Sequence, residues 1–330
     1  MIFLTEIGNT IRKASSQYWD TISVSIRVNG SLIVEKVPGR LSNGYYYFAG
    51  VEEIVRAYME KNNLTICTVG GTYYEVDSDS SQSATENVTD ARVVYRSVLM
   101  RAYPMFSADA LLSSMFLTPH KSAVLFNGGI LYLSYYNTTA NVSYTLTCTK
   151  RSDGTTDVLT YSAASTGLSS ISVSYISTYS KIVVAMGDRS FTVYMVDMIP
   201  GEEFKFRNAF NIEESINLPA STEEAPKTEF EEAEQGRVRT RYDIEHDIEF
   251  TVKTGSLPAI MYSSILDMVR ARVITRKYQF VSGTTTYTSY LPVVVKDYKL
   301  PKSNDPSKPI SLEMKFVYAD KSCNDAVVIE

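Results

Sequence analysis

Apolar and polar positions alternate with period two along much of this chain, and that pattern predicts strands. Ile22, Val24, Ile26 and Val28 alternate with Ser23, Ser25 and Arg27, and Asn29-Gly30 then leads into Leu32 and Val34. A two-residue hairpin turn needs positive φ at both positions, which Asn and Gly tolerate best, so a hairpin is expected here. A second turn pair, Asn43-Gly44, precedes Tyr45 and Tyr47. There the period changes: Val51, Ile54, Val55, Tyr58 and Met59 recur at helical spacing, with Glu52, Glu53, Arg56 and Glu60 opposite. The pattern predicts an amphipathic helix near 51–61 packed on the opening strands. Residues 75–90 are rich in Ser, Asp, Thr and Asn and read as an exposed loop, residues 91–100 as a strand. A first domain, 1–105, then ends near Tyr103-Pro104.

Residues 121–181 are almost free of charge and dense in Ser, Thr and Tyr, with alternating runs such as Ile130-Leu131-Tyr132-Leu133 and Ile171-Ser172-Val173-Ser174-Tyr175. Asp153-Gly154 supplies a further turn. Such strands suit a sandwich or barrel, a domain over 106–200 whose surface neighbours partly cover. From residue 201 to 254 the chain carries 14 acidic and 7 basic residues, net −7. A shift of that size marks a boundary or an exposed connector, and residues 213–236 read as an acidic arm that orders on contact with a neighbour.

The clearest pattern follows. Every odd position from 237 to 249 is charged, while Val238, Tyr242, Ile244, Ile248 and Phe250 fill even ones, which predicts a long two-faced strand or pair of strands. The charges are segregated lengthwise: Arg237, Arg239 and Arg241, then Asp243, Glu245, Asp247 and Glu249. These seven residues are the candidate interface, because the basic end of one copy would meet the acidic end of the next and select register and partner. Pro258 then opens a helix with Met261, Ile265, Met268 and Val269 on its apolar stripe, and strands return near 271–281, 287–295 and 310–318. The fold expected is mainly β, of two or three β-sandwich or barrel-like modules with one or two packed helices, the last an α+β domain over 201–330.

With 330 residues and 44% apolar content the chain can bury a core without metal or disulfide staples. A net charge of −5 argues against a sequence-independent grip on nucleic acid. Cys67, Cys148 and Cys323 are odd in number and far apart, unlike a metal site or a disulfide framework. The N-terminus lacks a basic run before a long apolar stretch, and the longest uncharged stretch, 122–149, is broken by Asn127-Gly128-Gly129 and Asn137-Thr138-Thr139. A soluble protein made in the cytoplasm, with no membrane span, is therefore expected.

Candidate chemistry is sparse. His120 and His246 stand in no zinc-binding arrangement and lack a nucleophile elbow. Gly70-Gly71 and Gly128-Gly129 form no phosphate cradle and read as turns. The acid pairs Glu202-Glu203, Glu213-Glu214 and Glu223-Glu224 could in principle serve a glycosidase, yet such pairs are ordinarily solvated. No catalytic residue, cofactor or metal is expected, and the chain is read as a non-enzyme. Tyrosine is abundant, 24 residues against the single Trp19, which suits contact surfaces for protein or glycan as well as strand filling.

The run Gly201-Glu202-Glu203-Phe204-Lys205-Phe206-Arg207-Asn208-Ala209-Phe210-Asn211, followed by Lys227, Glu229 and Tyr242-Asp243, resembles uncharacterised tail- and baseplate-associated virion proteins of tailed phages and prophages of gut Bacteroidales. The resemblance extends loosely to the N-terminal hairpin and helix and to the helix after Pro258. It carries no catalytic residues. It implies a virion tail or baseplate component, oligomeric around the tail axis, whose partners are copies of itself and other tail proteins. The rivals are a carbohydrate-binding or host-attachment module, which tyrosines could serve through glycan contact, and a carboxylate-based polysaccharide hydrolase.

Overall fold

The computed structural model describes residues 1–15, 21–77, 82–95, 108–163, 166–235, 238–282, 284–302, 305 and 308–320. Strands make up 61% of the structure and helices 14%, with several sheets, one of them curled into a half-barrel, and four short helices. The mainly β class expected from period-two patterning is what the chain adopts. It divides into two compact units: Met1–Pro119 with Tyr135–Asn137 and Ala209–Ile212, and His120–Ser134 with Thr138–Asn208 and Glu213–Glu330. Residues 106–200 and 201–330 thus fall mostly within one unit. The expected boundary at Tyr103-Pro104 lies outside the described residues.

The first unit is built on β1 (Ile2–Phe3), α1 (Ile7–Thr10), β2 (Arg12–Ala14), β3 (Thr21–Val28), β4 (Ser31–Ser42), β5 (Tyr45–Phe48), α2 (Val51–Lys61), β6 (Ile66–Asp77), β7 (Gln82–Val94) and α3 (Ala108–Ser114). Its seven strands run in the order β1-β7-β6-β3-β4-β5-β2. The turn between β3 and β4 holds Asn29 at φ 48° and Gly30 at φ 80°, the doubly positive pair that the sequence demanded. Val24, Ile26 and Val28 from β3 are buried with Val51, Val55 and Met59 from α2, so the helix lays its apolar stripe on the sheet as its spacing required.

The second unit contains β8 (Ser122–Phe126), β9 (Ile130–Asn137, up to Ser134), β10 (Val142–Lys150), β11 (Thr156–Ala163), β12 (Gly167–Ser174), β13 (Tyr179–Met186) and β14 (Arg189–Val196). It continues with β15 (Glu202–Arg207), β16 (Glu213–Leu218), β17 (Ala220–Gln235), β18 (Val238–Thr254), α4 (Tyr262–Arg270), β19 (Ile274–Ser282), β20 (Thr285–Lys299) and β21 (Glu313–Tyr318). A five-stranded sheet has the order β11-β10-β13-β14-β8, a two-stranded one pairs β12 with β9, and a seven-stranded one runs β16-β15-β19-β20-β21-β18-β17. Its largest core gathers Phe204, Phe206, Phe250 and Phe316 from the long sheet with Ile265 and Met268 from α4. Phe250 stacks on Phe316 at 5.2 Å, and Phe204 meets Phe316 edge-on at 6.0 Å.

Three local expectations are corrected. Residues 75–90, read as a loop, are strand wherever they are described, because pairing with β6 satisfies the backbone of β7 whatever its side chains. Gly70 and Gly71, read as a turn, lie inside β6 at a bulge, where a Cβ on Gly71 would come 2.0 Å from the Ser25 carbonyl oxygen. Residues 213–236, read as an arm, form β16 and β17 over their described part. The register sets Glu232 opposite Arg241, Glu234 opposite Arg239 and Lys227 opposite Asp247, three positions of opposite charge along the ladder.

Gly71→Ala is expected to destabilise the protein by about 2 kcal/mol, since β3 must move to admit a methyl group. Gly8→Ala, where a Cβ meets nothing within 4 Å, serves as the control. Urea midpoints test the pair, and equal midpoints would contradict the close approach.

Candidate functional site

Sheet edges are the sites where this fold meets its surroundings, because an edge strand exposes unpaired N–H and C=O groups. The outer strands of the two seven-stranded sheets are blunted. In the first unit the outer strands β1 and β2 are two and three residues long. In the seven-stranded sheet of the second unit, β16 begins with Glu213-Glu214 and β17 carries six glutamates and Pro226.

β11 is different. It runs eight residues as Thr-Asp-Val-Leu-Thr-Tyr-Ser-Ala, contains no proline, and its sole charge, Asp157, is held by Lys150 at 3.0 Å and the Tyr179 hydroxyl at 3.0 Å. Val158 is 62% exposed, Leu159 41% and Tyr161 44%. Val158 and Leu159 are neighbours and so point to opposite faces, which leaves the edge apolar on both. Tyr161 stacks on Tyr144 of β10 at 5.3 Å, which holds its ring upright beside the open edge.

The candidate interface lies on β18. Arg237 and the side chains of Arg239, Arg241, Asp243, Glu245 and Asp247 are outside the described residues, but the backbone register of Arg239, Arg241, Glu245 and Asp247 is fixed, and Asp243 falls at the register shift. Among the described residues β18 pairs with β21 only over Phe250–Lys253, and β17 pairs only with β18. Beyond Glu249 the hairpin therefore runs on as a two-stranded ribbon for about 35 Å at roughly 3.3 Å per residue. A bulge at its middle changes the register: below it odd residues of β18 face odd residues of β17, and above it they face even ones. Glu229 stands opposite Glu245, a like-charged cross-strand pair. Glu249 is bound within the chain, its Oε1 2.9 Å from Lys315 Nζ.

A cleft of about 710 Å³ opens in the second unit. The Asn127–Ile130 turn and the Ile199–Gly201 segment border it, and Glu203, Lys205, Lys277 and Tyr290 stand along the sheet. Register creates the row: Asn217 is opposite Glu203, and Lys277 opposite Tyr290, on three antiparallel ladders. Lys277 Nζ lies 2.9 Å from Glu203 Oε2, and the Tyr290 hydroxyl donates to Glu203 Oε1 at 2.7 Å. Burial, and then this hydrogen bond, hold the Tyr290 phenol protonated well above its ordinary range. Lys205 Nζ sits 3.8 Å from the centre of the Tyr290 ring and 3.3 Å from Glu213.

Glu202 lines the same cleft, yet β15 alternates buried and half-buried residues, which puts Glu202 on the face of Phe204 and Glu203 on the face of Lys205. Arg276 grips Glu202 with Nε and Nη2, both at 2.8 Å, and donates from Nη1 to the Tyr318 hydroxyl at 2.9 Å. Although burial opposes its charge, the Glu202 carboxylate holds this guanidinium firmly protonated. Phe250 and Phe316 cover it at 5.4 and 5.5 Å. Two neighbouring carboxylates on opposite faces, each neutralised by its own cation, do not form an acid/base pair of the glycosidase kind.

The other sequence candidates scatter. Glu223 pairs with Lys253 at 2.7 Å, Glu214 accepts from Asn208 Nδ2 at 2.6 Å, and His120 lies 3.2 Å from Asp267 of α4. His246 has its side chain outside the described residues. Among the described residues no group of three His, Cys, Asp or Glu is placed to hold a metal, and no helix is long and apolar enough to cross a membrane. Cys67 and Cys148 are free and buried, and burial pushes the Cys67 thiol up to about 12. Sequence reasoning missed Arg276, Lys277 and Tyr290, which lie more than seventy positions from Glu202 and Glu203 and meet them only through the ladder. The sequence matches no protein-family model and no curated protein.

Arg276→Met is expected to cost about 3 kcal/mol, because it strands the buried Glu202 carboxylate, and Glu202→Gln in the same chain should recover part of that loss. Urea unfolding measures both, and an unchanged midpoint in the single variant would contradict the account. Iodoacetamide at mildly alkaline pH should leave Cys67 and Cys148 unmodified until denaturant is added, as read by peptide mass spectrometry.

Proposed function

We propose that this chain is a structural subunit of a tailed-phage virion, a tail or baseplate assembly component that works through contacts with copies of itself and with other tail proteins. The observation that carries the reading is β11, a full-length edge strand with apolar residues on both faces and none of the usual guards against edge pairing. Strand addition along such an edge gives main-chain hydrogen bonds for affinity and side-chain pockets for specificity. Resemblance of the 201–211 segment and its followers to tail-associated proteins supports the virion as the setting.

The β17–β18 ribbon supports the same reading from another direction. A two-stranded ribbon is marginally stable alone in water, and a cationic neighbour would suit the register that sets Glu229 opposite Glu245. Exposed aromatics add contact surface at the tip of the β19–β20 hairpin, where Phe280 and Tyr287 stack at 5.0 Å. The paired, opposed carboxylates of the cleft speak for a binding or structural role and against hydrolysis.

Replacing Val158 and Leu159 together by Lys should abolish or strongly weaken self-association without unfolding the chain, since both side chains are exposed. Light scattering with circular dichroism as the folding control reads this out, and assembly that persists in a folded double variant would contradict the role of β11. Arg239→Glu with Arg241→Glu creates two further like-charged pairs, opposite Glu234 and Glu232, each costing about 0.2–1 kcal/mol. Assembly should then fall and depend more steeply on salt, and assembly identical to the parent across salt concentrations would remove the ribbon from the interface.

A further inference from the structure

We propose that the 710 Å³ cleft of the second unit is a binding site for a neutral saccharide. The volume lies within the range of small-ligand sites, roughly 300–1,000 Å³. What selects the ligand class is the state of the charges around it. Four acids and three bases line the cleft, and each base is held by an acid: Arg276 by Glu202, Lys277 by Glu203, Lys205 by Glu213, while the fourth acid, Glu214, accepts a hydrogen bond from Asn208 Nδ2. A phosphate or polyanion would have to displace a carboxylate from each of these three cations and would face the fourth acid as well. An acyl chain is ill served, since the aliphatic lining reduces to Ile130, Ile199 and Pro200 at the border.

The remaining lining groups are those a sugar uses. Asn127, Ser215, Asn217 and Gln279 offer both donors and acceptors, matching hydroxyls that need both. Two of the amides are steadied by their own hydrogen bonds, which leaves their carbonyl oxygens as fixed acceptors. Asn127 Nδ2 donates to Asp197 Oδ1 at 3.3 Å, and Gln279 Nε2 donates to Thr288 Oγ1 at 3.1 Å. Tyr132 supplies a flat ring that is 54% exposed at the cleft wall, a surface for the C–H face of a pyranose. The Tyr290 ring is already covered by Lys205, so Tyr132 is the platform. Rigid ion pairs along the sheet keep the site pre-formed, which lowers the ordering cost of binding.

This site is independent of the assembly edge, and the test separates the two. The full chain is screened on a glycan array and titrated by calorimetry with maltohexaose, cellohexaose, chitohexaose and mannohexaose, with hexagalacturonic acid as the charged counterpart. At least one neutral sugar should bind, hexagalacturonic acid should not, and Tyr132→Ala and Gln279→Ala should each weaken binding about five- to tenfold. Both residues are exposed, so circular dichroism and light scattering should match the parent, including its self-association. Absence of binding to every neutral glycan overturns the proposal. So does binding that both variants leave unchanged, or equal affinity for hexagalacturonic acid.

Discussion

A strand satisfies its backbone only when it is paired on both sides, and in a chain that is 61% strand this constraint governs nearly everything else. The first unit meets it by ending its sheet in strands of two and three residues. The long sheet of the second unit meets it by loading its outer strands with glutamate and placing Pro226 in β17. β11 meets it only on the side of β10. β8, β9 and β12 are uncharged edges too, but β11 exposes large apolar side chains on both faces, and the proposed assembly role rests on that exposure.

The same principle explains which parts of the fold were legible in the sequence. The Asn29-Gly30 hairpin, the α2 stripe of Val51, Val55 and Met59 and the helix after Pro258 are local: turn chemistry and period decide them within a dozen residues. Polar strands were illegible for the complementary reason. β7 and β17 read as loop and arm because their side chains are polar, whereas their conformation is set by ladders to β6 and β18. Gly70 and Gly71 misled in the same way, since nothing local reveals that the backbone of Ser25 must pass within reach.

The candidate site divides along that line too. The lengthwise charge segregation of 237–249 is plain in the sequence, and so is the run of a single strand through it. What sequence could not convey is that β17 already sets glutamates opposite Arg239 and Arg241, so that part of the charge complementarity imagined between copies is present within one chain. Likewise Glu202-Glu203 was visible as an acid pair, but only the pleat of β15 and the register with β19 turn it into two separate, neutralised ion pairs facing different ways. Buried charge of this kind fixes geometry more readily than it performs chemistry.

The most direct test is amide hydrogen exchange along β11, measured on dilute subunits and again under concentrations or partners that drive assembly. The account predicts that the amides of Val158 to Tyr161 facing away from β10 exchange quickly in the isolated chain and become protected on assembly, while those paired with β10 are protected throughout. Exchange along β11 that is identical in the isolated and assembled states would contradict it.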